Sequence, residues 1–148
     1  MSHLGTAIAI ASKAHLGQFD KGGYPYILHP LKVMHYCHTE DPEIQMIAVL
    51  HDVVEDTVVT LQDLRTERFS QRVIDGVDAM TKRENEPINS YVSRVMTNDD
   101  AVIVKMADLR HNTDVRRLKG LTKRDMNRME TYQRLYEKLK KHRIISKL

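Results

Sequence analysis

The chain has 148 residues, long enough for one domain with a sizeable core, and its net charge is only +3 at pH 7. No apolar run approaches the length of a membrane span, and the first residues lack the pattern of a secretory signal peptide, so neither a membrane-spanning nor an exported protein is expected. Cys37 is the only cysteine, which excludes an intrachain disulfide and favours a reducing, cytoplasmic setting.

Nearly every segment shows apolar residues at helical spacing, with capping or turn residues at its ends. Asp41-Pro42 is the clearest start, because aspartate caps well and proline suits the first turn. The run Ala101–Val104 also has the pattern of a buried strand, but the sequence offers no second strand to pair with it. We therefore predict one all-α domain over residues 1–148, with its last helix packed through Met126, Met129, Leu135 and Leu139. The predicted helices cover about residues 4–16, 27–37, 42–54, 60–68, 70–80, 87–96, 100–112 and 122–147.

The most polar stretch, residues 51–57, directly follows the apolar run of residues 47–50. On a continuous helix, His51 stacks with Glu55 and Asp52 stacks with Asp56, so four ionisable groups project into one wedge. Three carboxylates that close repel one another unless a cation or a basic substrate lies among them. A metal or substrate site therefore competes here with the plainer interpretation of a solvated helix end.

Two residues elsewhere in the chain complete a metal-ligand set. His29 opens a predicted helix, and Asp108 lies in an apolar helix, where burying its charge is costly unless a cation offsets it. Taken singly, a capping or core histidine and an aspartate salt-bridged to Arg110 or Lys105 explain these residues equally well. Together with His51 and Asp52 they supply two nitrogens and two oxygens, which suits manganese, iron or zinc.

Three strings make a family resemblance specific: HLGQFDKGGYPYILHP from residue 15, AVLHDVVEDT from residue 48 and VKMADLRHN from residue 104. The order H…HD…D is similar to that of the HD-domain metal phosphohydrolases. The fuller strings, with a weaker match at VDAMTK from residue 77, resemble the hydrolase domain of the RelA/SpoT alarmone family, in its single-domain small alarmone hydrolase form.

This resemblance implies an HD-domain helical bundle with a metal site between its helices. It implies removal of pyrophosphate from the 3′ position of (p)ppGpp, giving GDP or GTP, with one manganese ion as cofactor and a nucleotide as partner. Glu55 and Asp56 would handle the attacking water and the leaving group. The manganese ligands implied are His29, His51, Asp52 and Asp108. The expected substrate contacts are Asp20, Lys21, Lys82, Asn112 and Arg116.

One departure from the family pattern bears on the base. Asp20 stands where the family usually has an arginine that stacks on the nucleotide base. An aspartate accepts hydrogen bonds from guanine if it reaches the base, or relaxes base choice so that (p)ppApp is accepted. In a third interpretation it serves only as a turn residue, and another side chain, such as Arg110, lies under the base.

Other functions stay open at this stage. The chain also fits an HD phosphohydrolase acting on NADPH or a nucleoside monophosphate, or a non-catalytic alarmone-binding protein. From Arg110 to Arg128, seven basic residues stand against two acidic ones, which favours a polyanionic partner. Nucleic acid is not the expected partner, because no aromatic residues interleave this basic run. Homo-oligomerisation is left open.

Overall fold

A computed structural model describes residues 2–148. Within that range the chain forms nine α-helices, one short 3-10 helix at Val115–Arg117 and no β-strand, which confirms the all-α prediction. None of these helices is both long and apolar enough to span a bilayer. The helices are α1 (Leu4–Ala14), α2 (Leu28–Tyr36), α3 (Pro42–Leu50), α4 (Val53–Asp56), α5 (Leu61–Thr66), α6 (Gln71–Met80), α7 (Ile88–Met96), α8 (Asp99–Asn112) and α9 (Lys123–Ser146).

Side-chain caps explain where many of these helices begin. Each capping side chain accepts a hydrogen bond from a backbone N–H two or three residues further along, and each such cap contributes about 1 kcal/mol. Thr60 and Thr122 form full capping boxes, in which the side chain three residues on bonds back to the cap. Asn98, rather than Asp99, caps α8. The five capping residues are Asp41, Thr60, Ser70, Asn98 and Thr122.

Helix α3 is the centre of the core and packs against α1, α2, α6 and α8. Its last four residues, 47–50, are fully buried. Gly76 lets α6 approach closely, since a Cβ atom there would lie only 2.4 Å from Cδ1 of Ile47. The C-terminal end of α3 is therefore held deep in the molecule, with α2 and α8 beside it.

The predicted helix over residues 42–54 is wrong in one respect, because it is interrupted after Leu50. Helix α3 ends at Leu50, His51 and Asp52 form a turn, and a separate short helix, α4, follows. The reason is local: the His51 backbone N–H and its ring Nδ1 both point to the carbonyl oxygen of Ala48, at 3.5 and 2.6 Å, which tightens the chain at that point.

The packing of α9 also differs from the prediction. Leu135 and Leu139 are buried as expected and Met129 is partly buried, but Met126 is 59% exposed, because the first turns of α9 lie at the edge of the bundle. The sequence analysis also missed the 3-10 helix, which Asp114 caps by accepting from the backbone N–H of Arg116. The ends of the other helices shift by one or two residues, which is the usual uncertainty at helix termini.

Candidate metal centre

Three helices bring the four predicted metal ligands together. His29 comes from the first turn of α2, His51 and Asp52 from the turn after α3, and Asp108 from the middle of α8. Nε2 of His29 lies 2.9 Å from Oδ1 of Asp108 and 3.6 Å from Oδ2 of Asp52. Nε2 of His51 lies 3.0 Å from the same oxygen of Asp52 and 3.4 Å from Oδ1 of Asp108.

The donor atoms of this cluster suit a divalent cation. One ligand atom from each of His29, His51 and Asp108 lies within 4.8 Å of the others, and all three side chains are buried. Because Nδ1 of His51 donates to the carbonyl oxygen of Ala48, Nε2 is the ring nitrogen that faces the cluster. That Nε2 atom is buried without a hydrogen-bond partner, as expected for an atom that binds a cation.

Asp108 is held by two neighbours on its own helix. Lys105 donates to Oδ2 at 2.9 Å, so the salt bridge considered from the sequence is present. Asn112 donates from Nδ2 to Oδ1 at 3.1 Å. Lys105 engages the oxygen that does not contact the histidines, so the salt bridge and the ligand arrangement are compatible.

Tyr26 and His111 hold the other side of the cluster. The Tyr26 hydroxyl donates to Oδ2 of Asp52 at 2.6 Å, and Nδ1 of His111 lies 2.8 Å from Nδ1 of His29. The sequence analysis assigned no role to either residue. Lys105 carried a signal, since it lies one helical turn before Asp108, but no spacing links Tyr26 or His111 to its partner across the bundle.

The protonation of the cluster follows from its charges. Burial opposes the ionised form of Asp52, but the adjacent His51, whose charge has the larger effect, outweighs burial and holds the pKa of Asp52 at about 2. Burial also opposes ionisation of Asp108, and Lys105 with the histidine hydrogen bonds keeps its pKa well below the usual range. Burial works against the protonated form of His51, yet the two aspartates raise its pKa well above the ordinary value. Burial and Arg117 lower the pKa of His111 to about 4.

The acidic pair Glu55 and Asp56 lies next to the cluster on α4. One oxygen from each lies within 4.8 Å of an oxygen of Asp52 and of the other. Glu55 accepts a hydrogen bond from the backbone N–H of Lys82 at 2.8 Å. Burial, followed by the charges of Asp52 and Glu55, raises the pKa of Asp56 to about 6. A carboxyl group of this kind exchanges a proton near neutral pH.

A cavity of about 250 Å³ joins the four ligands to the acidic pair, and Lys82, Lys105 and Asn112 also line it. A second cavity of about 260 Å³ lies beside it. The two share Tyr26, Asn112 and Tyr132 in their walls, so together they form one continuous depression.

The structure places the predicted substrate contacts unevenly around these cavities. Asn112 lines both, Lys82 lines the metal cavity, and Asp20 and Lys21 line the second cavity. Arg116 lines neither: its side chain is 85% exposed and pairs with Asp114 at 2.9 Å.

Both oxygens of Asp20 are already engaged. Oδ1 accepts from the backbone N–H of Tyr24 at 2.9 Å, and Oδ2 lies 3.4 Å from the guanidinium of Arg117. Arg117 also donates to Oδ1 of Asn112 at 3.1 Å, so a chain of polar contacts runs from the loop to the metal cluster. Arg110, by contrast, stacks on Tyr36 with its guanidinium carbon 4.1 Å from the ring centre.

No protein-family model matches the sequence. The chain is 36% identical over 119 residues to the guanosine-3′,5′-bis(diphosphate) 3′-pyrophosphohydrolase of Haemophilus influenzae, covering 70% of this chain and 17% of that protein. It is 29% identical over 167 residues to the bifunctional (p)ppGpp synthase/hydrolase SpoT of Escherichia coli, covering 100% of this chain and 23% of that protein. The chain thus spans less than a quarter of the length of these curated relatives.

A solved structure described as a metazoan ortholog of SpoT that hydrolyzes ppGpp has a similar fold. Its TM-score is 0.73 at 22% sequence identity, with 92% of this chain and 84% of that chain covered. The fold and the His/Asp cluster therefore define an HD-type helical domain with a candidate divalent metal site. The sequence similarities show the family more narrowly: the chain belongs to the RelA/SpoT-type HD hydrolase family.

Proposed function

We propose that residues 1–148 form a single-domain metal phosphohydrolase that removes pyrophosphate from the 3′ position of (p)ppGpp, giving GDP or GTP. The observation that carries this proposal is the juxtaposition, in one cavity, of the His/Asp cluster and the acidic pair Glu55 and Asp56.

The metal in this proposal is manganese, held by His29, His51, Asp52 and Asp108. This mixed nitrogen and oxygen ligand set suits a first-row transition metal better than a hard cation that prefers oxygen alone. When bound, a divalent ion lowers the pKa of a water ligand toward neutrality and neutralises phosphate oxygens. The buried Nε2 atom of His51, which has no hydrogen-bond partner, supports an ion at this position.

Side chains of the protein then transfer the protons and bind the phosphates. Of Glu55 and Asp56, one orients or deprotonates the water and the other protonates the departing 3′ oxygen. The backbone N–H of Lys82 fixes the carboxylate of Glu55 by a hydrogen bond. The Lys82 ammonium is placed to bind the 3′ phosphates in the metal cavity, while Lys21 serves the 5′ phosphates from the second cavity.

The base in this arrangement lies in the second cavity, next to Tyr26, Asn112 and Tyr132. Each oxygen of Asp20 already accepts one hydrogen bond, from the backbone N–H of Tyr24 and from Arg117, so the carboxylate is held by the loop and by Arg117. We therefore propose that Asp20 holds Arg117 and shapes the loop rather than reading guanine, and that (p)ppApp is accepted as well.

The decisive experiment is product analysis by anion exchange. The manganese-loaded protein is given ppGpp, pppGpp, ppApp, NADPH and nucleoside monophosphates in parallel. We expect pyrophosphate with GDP or GTP from the guanosine substrates. If orthophosphate is released only from NADPH or a monophosphate, the metal site stands but the proposed substrate is wrong. If ppGpp binds tightly and no substrate is turned over, the protein binds the alarmone without hydrolysing it.

Variants of the acidic pair separate catalysis from metal binding. Glu55→Gln and Asp56→Asn should each retain the metal and lower kcat by roughly 10²–10⁴, the usual scale of acid–base assistance. Glu84→Gln, a change at an exposed acidic residue in the loop after α6, is the matched control and should leave kcat unchanged. Normal turnover by either acidic-pair variant would assign that residue a structural role.

A further inference from the structure

His29 has a partner at each ring nitrogen, and only one of them belongs to the proposed metal site. Its Nε2 faces Asp108 at 2.9 Å, and its Nδ1 lies 2.8 Å from Nδ1 of His111. Both histidines are buried, with 3% and 9% of their surface exposed. His111 is the last residue but one of α8 and contacts neither the acidic pair nor the second cavity.

The two rings meet edge to edge in a geometry that suits a hydrogen bond. Their planes differ by only 15°, and their centroids are 5.0 Å apart, far more than the distance between the two nitrogens. A ring nitrogen donates or accepts in the plane of its ring. Near-parallel rings whose nitrogens are this close therefore share one proton in an N–H···N hydrogen bond.

Counting protons along this pair gives two arrangements. In the first, Nδ1 of His29 carries the proton and donates to His111, so Nε2 of His29 is an unprotonated lone pair. In the second, Nδ1 of His111 donates to His29, and Nε2 of His29 carries a proton that points at Oδ1 of Asp108. Only the first leaves His29 able to bind a cation through Nε2, since a protonated ring nitrogen is not a ligand.

His111 is held in place for this task by contacts that do not use its ring nitrogens. Tyr36 packs against the ring edge with the centroids 6.0 Å apart, and Arg117 donates to the backbone carbonyl oxygen of His111 at 3.2 Å. Among residues 2–148, Nε2 of His111 makes no hydrogen bond and is not a buried unpartnered atom. The ring can therefore carry its own proton on Nε2 and present Nδ1 as an acceptor.

We propose that His111 is a positioning residue that selects the metal-binding tautomer of His29 by accepting the Nδ1 proton of that ring. The proposal rests on the metal site of the proposed function and on neither the substrate nor the reaction. Second partners of this kind fix the orientation and basicity of a ligand histidine, and their loss typically weakens metal binding by about 10–100-fold.

The first test is made on the unmodified protein. Long-range ¹H–¹⁵N spectra of the histidine rings report which nitrogen is protonated, and zinc is used as a diamagnetic probe. In the zinc-loaded protein we expect the proton of His29 on Nδ1 and an unprotonated Nδ1 on His111. A protonated Nδ1 on His111 in that state would overturn the proposal.

The second test compares variants by zinc affinity, measured in competition with a chelating indicator. His111→Ala removes the acceptor and should weaken zinc binding by about 10–100-fold. His111→Asn keeps an acceptor oxygen close to the position of Nδ1 and should recover most of the affinity. His35→Asn, at an exposed histidine on α2, is the matched control and should bind zinc as the unmodified protein does.

The outcomes separate this proposal from the proposed function. If His111→Ala binds zinc within twofold of the unmodified protein, His111 does not position His29, whatever the protein hydrolyses. If the zinc affinities and tautomers are as expected but no pyrophosphate is released, the substrate assignment fails and His111 keeps its role. If His111→Ala does not fold, failure of His111→Asn to bind zinc while it stays folded would refute the acceptor role.

Discussion

Lys105 provides a test of how the metal cluster is stabilised when no cation is bound. Its ammonium group donates to Oδ2 of Asp108 at 2.9 Å and lies 5.2 Å from the centre of the Tyr91 ring. Only 15% of its side chain is exposed. Lys105→Met keeps a long apolar side chain in this space and removes the positive charge next to Asp52 and Asp108.

The expected magnitude depends on whether a metal is present. Removing one partner of a buried ion pair costs about 3–5 kcal/mol, because the other charge is left uncompensated. That cost applies to the metal-free protein. With manganese bound, the aspartate charge is compensated, and the loss is that of one charged hydrogen bond, about 1.5–3 kcal/mol.

These two values together predict an unusual result. Since the metal-free form loses more stability than the metal-bound form, thermodynamic linkage requires that Lys105→Met bind manganese more tightly than the unmodified protein. A difference of about 1.4 kcal/mol corresponds to a tenfold lower Kd. The physical reason is that the ammonium group and the metal ion repel each other across Asp108.

The assay is urea unfolding followed by circular dichroism, once with a chelator and once with saturating manganese, together with a direct titration of the metal. Lys140→Met, at an exposed lysine on α9, is the control and should change neither quantity. Equal stability of the metal-free variant and the unmodified protein, or weaker manganese binding by the variant, would refute the reasoning.

Three further predictions concern the loop, the core and the single thiol. Burial raises the pKa of Cys37 to about 12, whereas the pKa of a cysteine thiol in the unfolded chain is about 8.5. The free energy of unfolding should therefore fall by about 1 kcal/mol between pH 8 and 9.5. Cys37→Ser should remove this pH dependence in urea unfolding. Gly76→Ala gains about 1 kcal/mol of helix propensity but crowds Ile47 at a cost of about 1–3 kcal/mol. The free energy of unfolding should therefore decrease, and adding Ile47→Val should restore part of it. Asp20→Arg should raise kcat/KM for ppGpp by about two- to fivefold, because a cation that stacks on the base contributes about 0.5–1 kcal/mol; an unchanged kcat/KM would leave Asp20 a turn residue.

The sequence predicts most helix starts because capping is a local interaction. Thr60 and Thr122 each precede an aspartate by three residues, and both form reciprocal capping boxes. The run 101–104 is helical, as predicted from the absence of a strand to pair with it. These features depend on residues close in the chain, which is why single-sequence reasoning finds them.

Two features that the sequence does not predict are invisible in its hydrophobic pattern. The break after Leu50 arises because the ring of His51 bonds to the carbonyl of Ala48, and no hydrophobic pattern indicates that bond. Met126 has the spacing of a core residue but lies in the first turn of α9 and is 59% exposed. Periodicity shows which face of a helix is apolar, but not how far along its length another element covers that face.

The predicted ligand residues meet in space, yet two of the partners that hold them, Tyr26 and His111, come from positions with no sequence link to them. For three of the four ligands, a second atom of the same side chain is bonded to a group outside the cluster. Nδ1 of His51 bonds to Ala48, Oδ2 of Asp108 to Lys105 and Nδ1 of His29 to His111. Each bond orients a ligand before any ion arrives, which lowers the entropic cost of assembling the site.

Asp52 is the exception, and it shows where the site should be most adjustable. Its Oδ2 accepts from the Tyr26 hydroxyl at 2.6 Å and is also the oxygen closest to His51. An incoming cation must therefore share this oxygen with Tyr26 or draw on the other oxygen of Asp52. Tyr26 also lies in the wall common to both cavities, so a shift of its hydroxyl on metal binding would change the surface offered to the nucleotide. The hydrogen bond between Tyr26 and Asp52 therefore couples the metal site to the substrate site. Tyr26→Phe should change the zinc affinity and the KM for ppGpp together.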